Sequence, residues 1–420
     1  MRFLITISAV LFAFNLALGQ TAFTLQIYDS DSNKFVTGAY GEIQYNSSAI
    51  TNQFAKTFYQ GEYLKKEIKE GSINKMGNFN QLGLDANYGA YSSIRLKSFI
   101  GRNPYRLNWF IGLYDRTHTD LSVPENLFRL VFEGNKQFAG ESIDISGFDF
   151  KLFKYQQLQT GLYFDNGLGQ KIAFSASYLN GNRYLSYSVP QLNFFTSDIG
   201  DQIAIDWDFT YQQTNLENER YLHSNGYGFS TDLMYQFSYH SVENSNNYMK
   251  IEINDLGFIN WSSKSQSITS SDSLLYEGYH IKNIQEIHDS LIQEVSVDSI
   301  VDSHTYLKTD KFTTYLPARI SLDIKQQHNE KLAINIGISY RINANYAPLL
   351  FVEEQYNITK KIIASGRLSY GGYTKLSFGM NIRAQFKSIG LFAGTNNLEG
   401  LIASKYFGGF STFGGLNIRL

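Results

Sequence analysis

Cysteine is absent from this sequence, and proline occurs only five times in 420 residues. Without cysteine, the chain has neither disulfides nor zinc–thiolate sites. Scarce proline favours long, unbroken β-strands, because proline has no N–H to donate to a neighbouring strand. The formal net charge of −2 argues against nucleic acid as a partner, since phosphate binding requires a basic surface.

Long apolar runs are also scarce, and the one that is present, Phe3–Leu18, lies at the beginning of the sequence. Arg2 precedes this run, and Ala17-Leu18-Gly19 supplies the small-x-small pattern that a signal peptidase accepts. We therefore expect residues 1–19 to be a signal peptide. No later segment approaches the roughly 18 apolar residues that indicate a transmembrane helix.

The sequence is instead rich in aromatic residues, with 30 Tyr and 32 Phe, and in segments that alternate with a period of two. In residues 332–341, Leu, Ile and Tyr alternate with Ala, Asn, Gly, Ser and Arg, and residues 376–386 follow the same rule. Successive side chains of a strand point to opposite faces, so each segment has one apolar face and one polar or small face. Similar segments occur at residues 107–113, 172–178, 203–211, 233–239, 249–253, 318–325 and 416–420.

A soluble β-sandwich or soluble barrel also alternates, but two properties favour a membrane protein. Many segments reach the length of about 9–11 residues that crosses a bilayer at a barrel tilt. Their polar faces are rich in Gly, Ser, Asn and Arg, and Tyr and Phe lie near strand ends, as in aromatic girdles. The sequence therefore predicts an all-β fold, a transmembrane antiparallel up-and-down β-barrel of about 14 strands (range about 12–14), in the outer membrane.

Three regions do not match the barrel pattern, and the shortest of them is the segment Pro124–Phe132. Residues 20–80 are irregular, with a helix predicted over Phe54–Glu70, and this small N-terminal segment either plugs the lumen or packs below it. We expect the barrel itself to cover residues 81–420. It is interrupted by a Ser/Asp-rich excursion at residues 262–313, with a short helix around Ile284–Glu294.

Three shorter signals mark local structure. Pro124–Phe132 predicts a helix with proline near its first turn, ended by Gly134-Asn135. Gly371-Gly372 predicts a tight turn between two strands, and Asn180–Asn182 predicts a turn or a bulge.

Several local patterns resemble a known family: Asp255–Trp261 (DLGFINW), Leu316-Pro317-Ala318, and Gly134-Asn135 before the segment from Phe138. On these, the chain from about Asn80 onwards resembles uncharacterised outer-membrane barrels of bacteria that possess a type IX secretion system. It is more distantly similar to FadL-like and PorV-like barrels. The resemblance implies a barrel in the outer membrane and no established activity. A purely structural interpretation makes Asp255 a strand-end cap and Trp261 an interfacial anchor.

Strand parity places five charged residues on the face opposite to the apolar one. A charge facing lipid at mid-depth costs about 2–4 kcal/mol, so we expect these side chains to face the lumen. The arginines among them either form a cationic lining that orients an anionic ligand, or pair with carboxylates such as Asp323, Glu353 or Glu354 and fill the barrel. These candidate site residues are Arg319, Asp323, Arg367, Arg383 and Arg419.

No motif names a reaction. The seven histidines show no metal-ligand spacing, and Asp29–Asn33 starts like a calcium loop but lacks its glycine and bidentate glutamate. We therefore expect no catalytic residue, metal or cofactor. The first hypothesis is binding or passage of a small, partly hydrophobic or anionic molecule, with outer-membrane lipid around the barrel. The alternative is a structural scaffold that binds an envelope or secretion protein through the excursion, and an outer-membrane hydrolase is the weakest hypothesis.

Overall fold

The computed structural model of the protein describes residues 34–96, 106–215, 222–239, 247–277 and 306–420. Three predictions lie outside these residues: the signal peptide at 1–19, the calcium-like segment Asp29–Asn33, and the helix at Ile284–Glu294.

The described residues contain nineteen strands, all connected in one sheet. They are β1 (Phe35–Ser47), β2 (Gln81–Leu96), β3 (Arg106–Ser122), β4 (Ser142–Asp144), β5 (Phe148–Asp165), β6 (Lys171–Thr196), β7 (Ile203–Gln213), β8 (Gly226–Ser238), β9 (Tyr248–Trp261), β10 (Gln266–Tyr276), β11 (Tyr306–Thr309), β12 (Thr313–Tyr315), β13 (Arg319–Gln327), β14 (Leu332–Arg341), β15 (Ala347–Thr359), β16 (Ile362–Gly372), β17 (Leu376–Gln385), β18 (Ile389–Thr395) and β19 (Gly409–Arg419).

Fourteen of these strands form a closed antiparallel barrel, all except β4, β7, β10, β11 and β12. Each wall strand pairs with the next one along the chain, and β19 closes the ring by pairing with β1 from Val36↔Arg419 to Asn46↔Gly409. The predicted barrel and its favoured strand number are confirmed. A closed ladder leaves no strand edge open, which is the condition for a sheet to cross a bilayer.

The outer face of the wall is apolar. On β14, the outward side chain of Ile336 is 55% exposed, whereas the inward Asn335 and Ser339 are buried. The indole N–H of the outward residue Trp109 donates to Thr160 Oγ1 at 2.9 Å, which satisfies its polar group on the outer face. The wall therefore presents an apolar belt to lipid and a polar face to the lumen.

The two ends of the barrel differ in their connections. The end that carries Phe35 and Leu420 has short turns, at residues 166–170, 328–331, 360–361 and 386–388. The opposite end, called the loop end below, has the long connections between β1 and β2, between β9 and β13, and between β18 and β19. Short turns are typical of the periplasmic side and long loops of the extracellular side, which puts the loop end outside the cell.

Helices lie at the loop end. The first begins after Thr51, whose Oγ1 accepts a hydrogen bond from the N–H of Phe54. The first three pack together through an apolar cluster centred on Phe54, Ile73 and Phe128. None of the helices in the described part of the chain is long and apolar enough to cross a membrane. They are α1 (Asn52–Tyr59), α2 (Lys66–Ile73), α3 (Glu125–Glu133) and α4 (Leu398–Ile402).

The barrel begins well before the predicted boundary at residue 81, because β1 is a wall strand. Its outward positions include Thr37, Ala39 and Gly41, which make the alternation too weak to recognise in the sequence.

The described part of the predicted N-terminal segment therefore does not plug the lumen. Residues 48–80 form the loop from β1 to β2 at the loop end, and the predicted helix Phe54–Glu70 is split into α1 and α2. The predicted helix at Pro124–Phe132 is confirmed as α3, which ends at Gly134 with a positive φ of 84°.

A second sheet region projects from the loop end and is called the extension. The distal half of β6 pairs with β7, which pairs with β10, which pairs with β11, and β4 joins the other edge of β6. The alternating segment 203–211 therefore lies outside the wall. β7 alternates as a membrane-spanning strand does, but it belongs to the extension. The excursion 262–313 contributes β10 and β11 to this sheet. The predicted irregularity at Asn180–Asn182 is a bulge, where the pairing with β5 shifts at Lys154/Tyr155.

The belt can be tested by placing a charge at two depths. We expect Ile336→Arg, in the middle of β14, to lower the free energy of unfolding of the barrel in lipid vesicles by about 2–4 kcal/mol. Ile389→Arg makes the same chemical change at the first residue of β18, near the membrane surface, and should cost about 0–1 kcal/mol. Urea titrations in vesicles measure both. Equal losses at the two positions would contradict a lipid-facing belt.

Candidate functional site

The five predicted site residues all lie on the inner face of the wall. Asp323 is 1% exposed and its carboxylate lies 3.0 Å from Lys250 Nζ. The guanidinium of Arg367 lies over the ring of Phe351, 3.7 Å from its centroid. Arg319 is half-buried on β13, while Arg383 and Arg419 lie towards the periplasmic end of the lumen, where Arg419 Nε donates to Asn417 Oδ1 at 3.2 Å.

The predicted arginine–carboxylate pairs are not found among the described residues. Arg319, Arg367, Arg383 and Arg419 have no carboxylate within 4.0 Å in that part of the chain. Of the acidic partners considered, Glu354 faces outward, and Glu353 faces inward and accepts from Gln355 Nε2 at 2.8 Å. The parity argument therefore located the side chains correctly, but the assumption that buried charges are paired did not hold for these arginines.

One inward cluster is a buried lysine between two carboxylates. Lys250 Nζ lies 3.0 Å from Glu252 and 3.0 Å from Asp323, and all three side chains are at most 2% exposed. Lys250 and Asp323 face each other directly across β9 and β13. This triad joins two adjacent wall strands, and it has one more carboxylate than cation.

A second cluster crosses the lumen near the loop end. Arg341 on β14 makes a two-pronged ion pair with Asp85 on β2, with NH1–Oδ1 3.1 Å and NH2–Oδ2 2.8 Å. His118 Nδ1 lies 2.7 Å from Asp85 Oδ1 and 2.9 Å from Arg341 NH1. In the ring of fourteen, β2 and β14 are seven strands apart in either direction, so this pair spans a diameter.

The loop that follows β14 is fastened to the same side of the barrel. The backbone N–H of Asn345 donates to Asp120 Oδ2 at 2.8 Å, and its side-chain amide donates to Asp149 Oδ2 at 2.7 Å. Asn343 takes a positive φ of 60°, which lets the loop turn back over the lumen. We call the whole set the latch; its members are Asp85, His118, Asp120 and Asp149 on one side, and Arg341 and Asn345 on the other.

Two tyrosines cover the latch. The rings of Tyr346 and Tyr373 meet edge to face at 4.9 Å, and Arg341 lies 5.5 Å and 5.9 Å from their centroids. Burial raises the pKa of Tyr373 well above its usual range and raises that of Tyr346 as well, so both remain neutral. Glycine at position 83 makes this closure possible, because a Cβ there would overlap the ring of Tyr373.

Below the latch, the middle of the lumen contains solvent-accessible space. Arg116, Arg319, Arg367, Glu42 and Tyr40 all point inward, yet each is only half-buried. A side chain that points into a closed barrel is exposed only to the space inside it. We call this space the arginine chamber, defined by these five residues.

The wall from β1 to β8 adds an apolar cluster to the lumen. Its buried members are Val36, Tyr91, Phe110, Tyr114, Tyr163, Ala173 and Met234, and Tyr40 of the chamber packs against it. Buried aromatic rings therefore fill the lumen beside the chamber, and guanidinium groups reach into the chamber from β3, β13 and β16.

The motif Asp255–Trp261 has a structural role. Asp255 takes a positive φ of 57° beside a bulge, and its N–H donates to Asp232 Oδ1 at 2.6 Å. Trp261 is 1% exposed, stacks on Tyr184 and donates to Thr314 Oγ1 at 2.8 Å. The interpretation of Trp261 as an interfacial anchor is therefore wrong, because its ring faces inward rather than towards lipid headgroups.

A closed fourteen-stranded barrel with an apolar outer belt and a polar, partly solvated lumen defines an outer-membrane β-barrel protein. The family model of DUF5723, described as a family of unknown function, matches residues 33–396. The chain belongs to this family. Membership confirms the predicted resemblance to an uncharacterised barrel family, and the link to type IX secretion stays a prediction.

Solved structures similar to the chain are outer-membrane barrels of low sequence identity. The toluene transporter TodX of Pseudomonas putida is 8% identical, with 96% of this chain and 93% of that chain covered and a TM-score of 0.41. The toluene transporter TbuX of Ralstonia pickettii is 7% identical, with coverages of 93% and 90% and a TM-score of 0.42. A FadL homologue of Pseudomonas aeruginosa is 12% identical, with coverages of 91% and 87% and a TM-score of 0.34. No curated protein matches the chain.

Proposed function

We propose that the protein is a gated channel through which small, partly hydrophobic molecules cross the outer membrane. The observation that carries this proposal is the latch. Near the loop end, one ion pair and one short loop cross the lumen, and half-buried inward side chains lie beneath them. Opening this closure separates a small number of polar contacts, whose donors and acceptors can then bind water instead.

The lining supports a molecule with both apolar and polar parts. The half-buried ring of Tyr40 offers contact area to an apolar body, and the guanidinium groups of the arginine chamber offer donors to a polar head. Such a route requires no catalytic residue. The position of the loop 342–346, between the chamber and the outside, makes it the moving part of the proposed gate.

The gate can be locked, because the native chain has no cysteine that would compete. Asn345 Nδ2 lies 3.2 Å from Asp120 Oδ2, so Asn345→Cys combined with Asp120→Cys places two thiols on the two sides of the closure. Oxidation should abolish uptake of phenyl glucoside into reconstituted liposomes, and reduction should restore it. Arabinose, which lacks an apolar part, should enter more slowly than phenyl glucoside.

The control is the single variant Asn345→Cys, which removes the same amide contacts but cannot form the disulfide. Its uptake should rise above that of the unaltered protein and should not respond to oxidation. If phenyl glucoside uptake is absent from every form, including Asn345→Cys, the proposal is overturned. The alternative scaffold role through the excursion stays a prediction, since residues 278–305 lie outside the described residues.

A further inference from the structure

The arginine chamber has hydrogen-bond donors that lack acceptors. Arg116 Nε donates to Gln157 Oε1 at 3.1 Å and Arg367 Nε donates to Ser369 Oγ at 3.2 Å, but their terminal NH2 groups donate to no described residue. The Nε–H of Arg319 is buried and has no acceptor within the described part of the chain. An arginine directs five N–H donors in a plane, so most of this donor capacity faces the chamber.

The carboxylates near the chamber already have donors. Glu42 is within electrostatic range of both Arg116 and Arg319, but its Oε1 accepts from Asn87 Nδ2 at 2.5 Å. Asp255 Oδ1 accepts from Gln157 Nε2 at 3.3 Å, and Glu353 from Gln355 as described above. The acids are held by amides of their own wall rather than by the arginines. Among the described residues, none of the three arginines of the chamber donates a hydrogen bond to a carboxylate.

The three arginines come from separate parts of the wall. Arg116 is on β3, Arg319 on β13 and Arg367 on β16, and Arg319 is within electrostatic range of Tyr40 and Glu42 on the opposite strand β1. A planar guanidinium matches the two oxygens of a carboxylate. The rings of Tyr40 and Phe351 stand beside these groups and offer an apolar surface next to the charge.

We infer that the arginine chamber binds the carboxylate of a small molecule with an apolar body, and that Arg116, Arg319 and Arg367 hold its oxygens. The inference deepens the proposed function, on which it rests for the route by which a ligand reaches the chamber. It names the ligand class as an organic monoanion instead of a neutral hydrocarbon. The alternative ligand of the same charge is a small inorganic anion without an apolar body.

Equilibrium dialysis of radiolabelled benzoate against the detergent-solubilised barrel tests the inference. We expect one equivalent of saturable binding, displaced by unlabelled benzoate but not by benzamide, which has the same ring without the charge. Arg319→Ala should weaken binding by about tenfold or more, because a hydrogen bond to a charged group is lost. Arg319→Lys should retain part of the affinity, since it keeps the charge without the fork.

Arg129→Ala is the matched control, because it removes one arginine from α3, outside the lumen. It should bind benzoate as the unaltered protein does. Heat-modifiable gel migration shows that each variant is folded. Equal binding by Arg319→Ala and Arg129→Ala, or no saturable binding at all, overturns the inference. Displacement by inorganic phosphate as readily as by benzoate also overturns the inference, because the site would then recognise negative charge without an apolar body.

Binding in detergent does not depend on transport, so the two proposals can fail separately. Benzoate binding without any liposome uptake would leave the chamber site standing and remove the channel. Uptake of phenyl glucoside without benzoate binding would leave the channel standing and remove the site.

Discussion

Replacing Asp85 with alanine is expected to lower the free energy of unfolding of the barrel by about 3–5 kcal/mol, the usual cost of removing one partner of a buried ion pair. The side chains of Asp85, His118 and Arg341 are at most 9% exposed. The substitution leaves the guanidinium of Arg341 in a buried place without its two-pronged acceptor. Urea unfolding in lipid vesicles, followed by gel migration without heating, measures the loss.

A double-mutant cycle separates this cost from the net contribution of the ion pair. Arg341→Met alone should also be strongly destabilising, because Asp85 would then keep only His118 as a partner. The double variant Asp85→Ala/Arg341→Met should lose less than the sum of the two single losses, since no unpaired charge remains. Additive losses would show that the two side chains do not interact across the lumen, which would contradict the latch.

The Lys250 triad should show the second large effect. Lys250→Met keeps a side chain of similar length but leaves Glu252 and Asp323 buried beside each other with no cation between them. We expect a loss of about 3–5 kcal/mol in the free energy of unfolding at neutral pH.

Lys151→Met is the matched control for this substitution. Lys151 also makes an inward ion pair, at 2.7 Å to Asp149, but its side chain is 29% exposed. A partly solvated pair is worth about 0–1 kcal/mol, so this variant should be nearly as stable as the unaltered protein. Similar losses for the two variants would indicate that burial does not set the cost.

The sequence was sufficient to predict the fold class, because lipid outside and polar groups inside impose a period of two on every wall strand. β14 was predicted from Leu332 to Arg341 and has those limits in the structure. The pattern failed where the outward residues are small, as in β1, and where a strand such as β7 has two faces without being in the membrane. A period of two shows that the two faces of a strand differ in polarity, but it does not show whether each face contacts lipid, water or protein.

The site could be predicted only in part, for a related reason. Parity identifies which charges face inward, and it applied to Arg319 and Arg367. Had the alternation of residues 107–113 been extended along β3, it would have added Arg116 and His118 to the inward set. The pairing of Asp85 with Arg341, 256 residues apart, depends on barrel closure and on the stagger between strands. Neither quantity is encoded in any local pattern.

The Asp85–Arg341 pair has a mechanical consequence for the wall. A closed ring of hydrogen-bonded strands resists stretching, because each strand would have to separate from its neighbour. It flattens more easily, because flattening changes only the angles between neighbours. An ion pair between strands seven places apart fixes the distance across the barrel, and it therefore keeps the cross-section round against lateral pressure from the bilayer. Loss of the ion pair should therefore make the cross-section of the barrel easier to deform, besides lowering its free energy of unfolding.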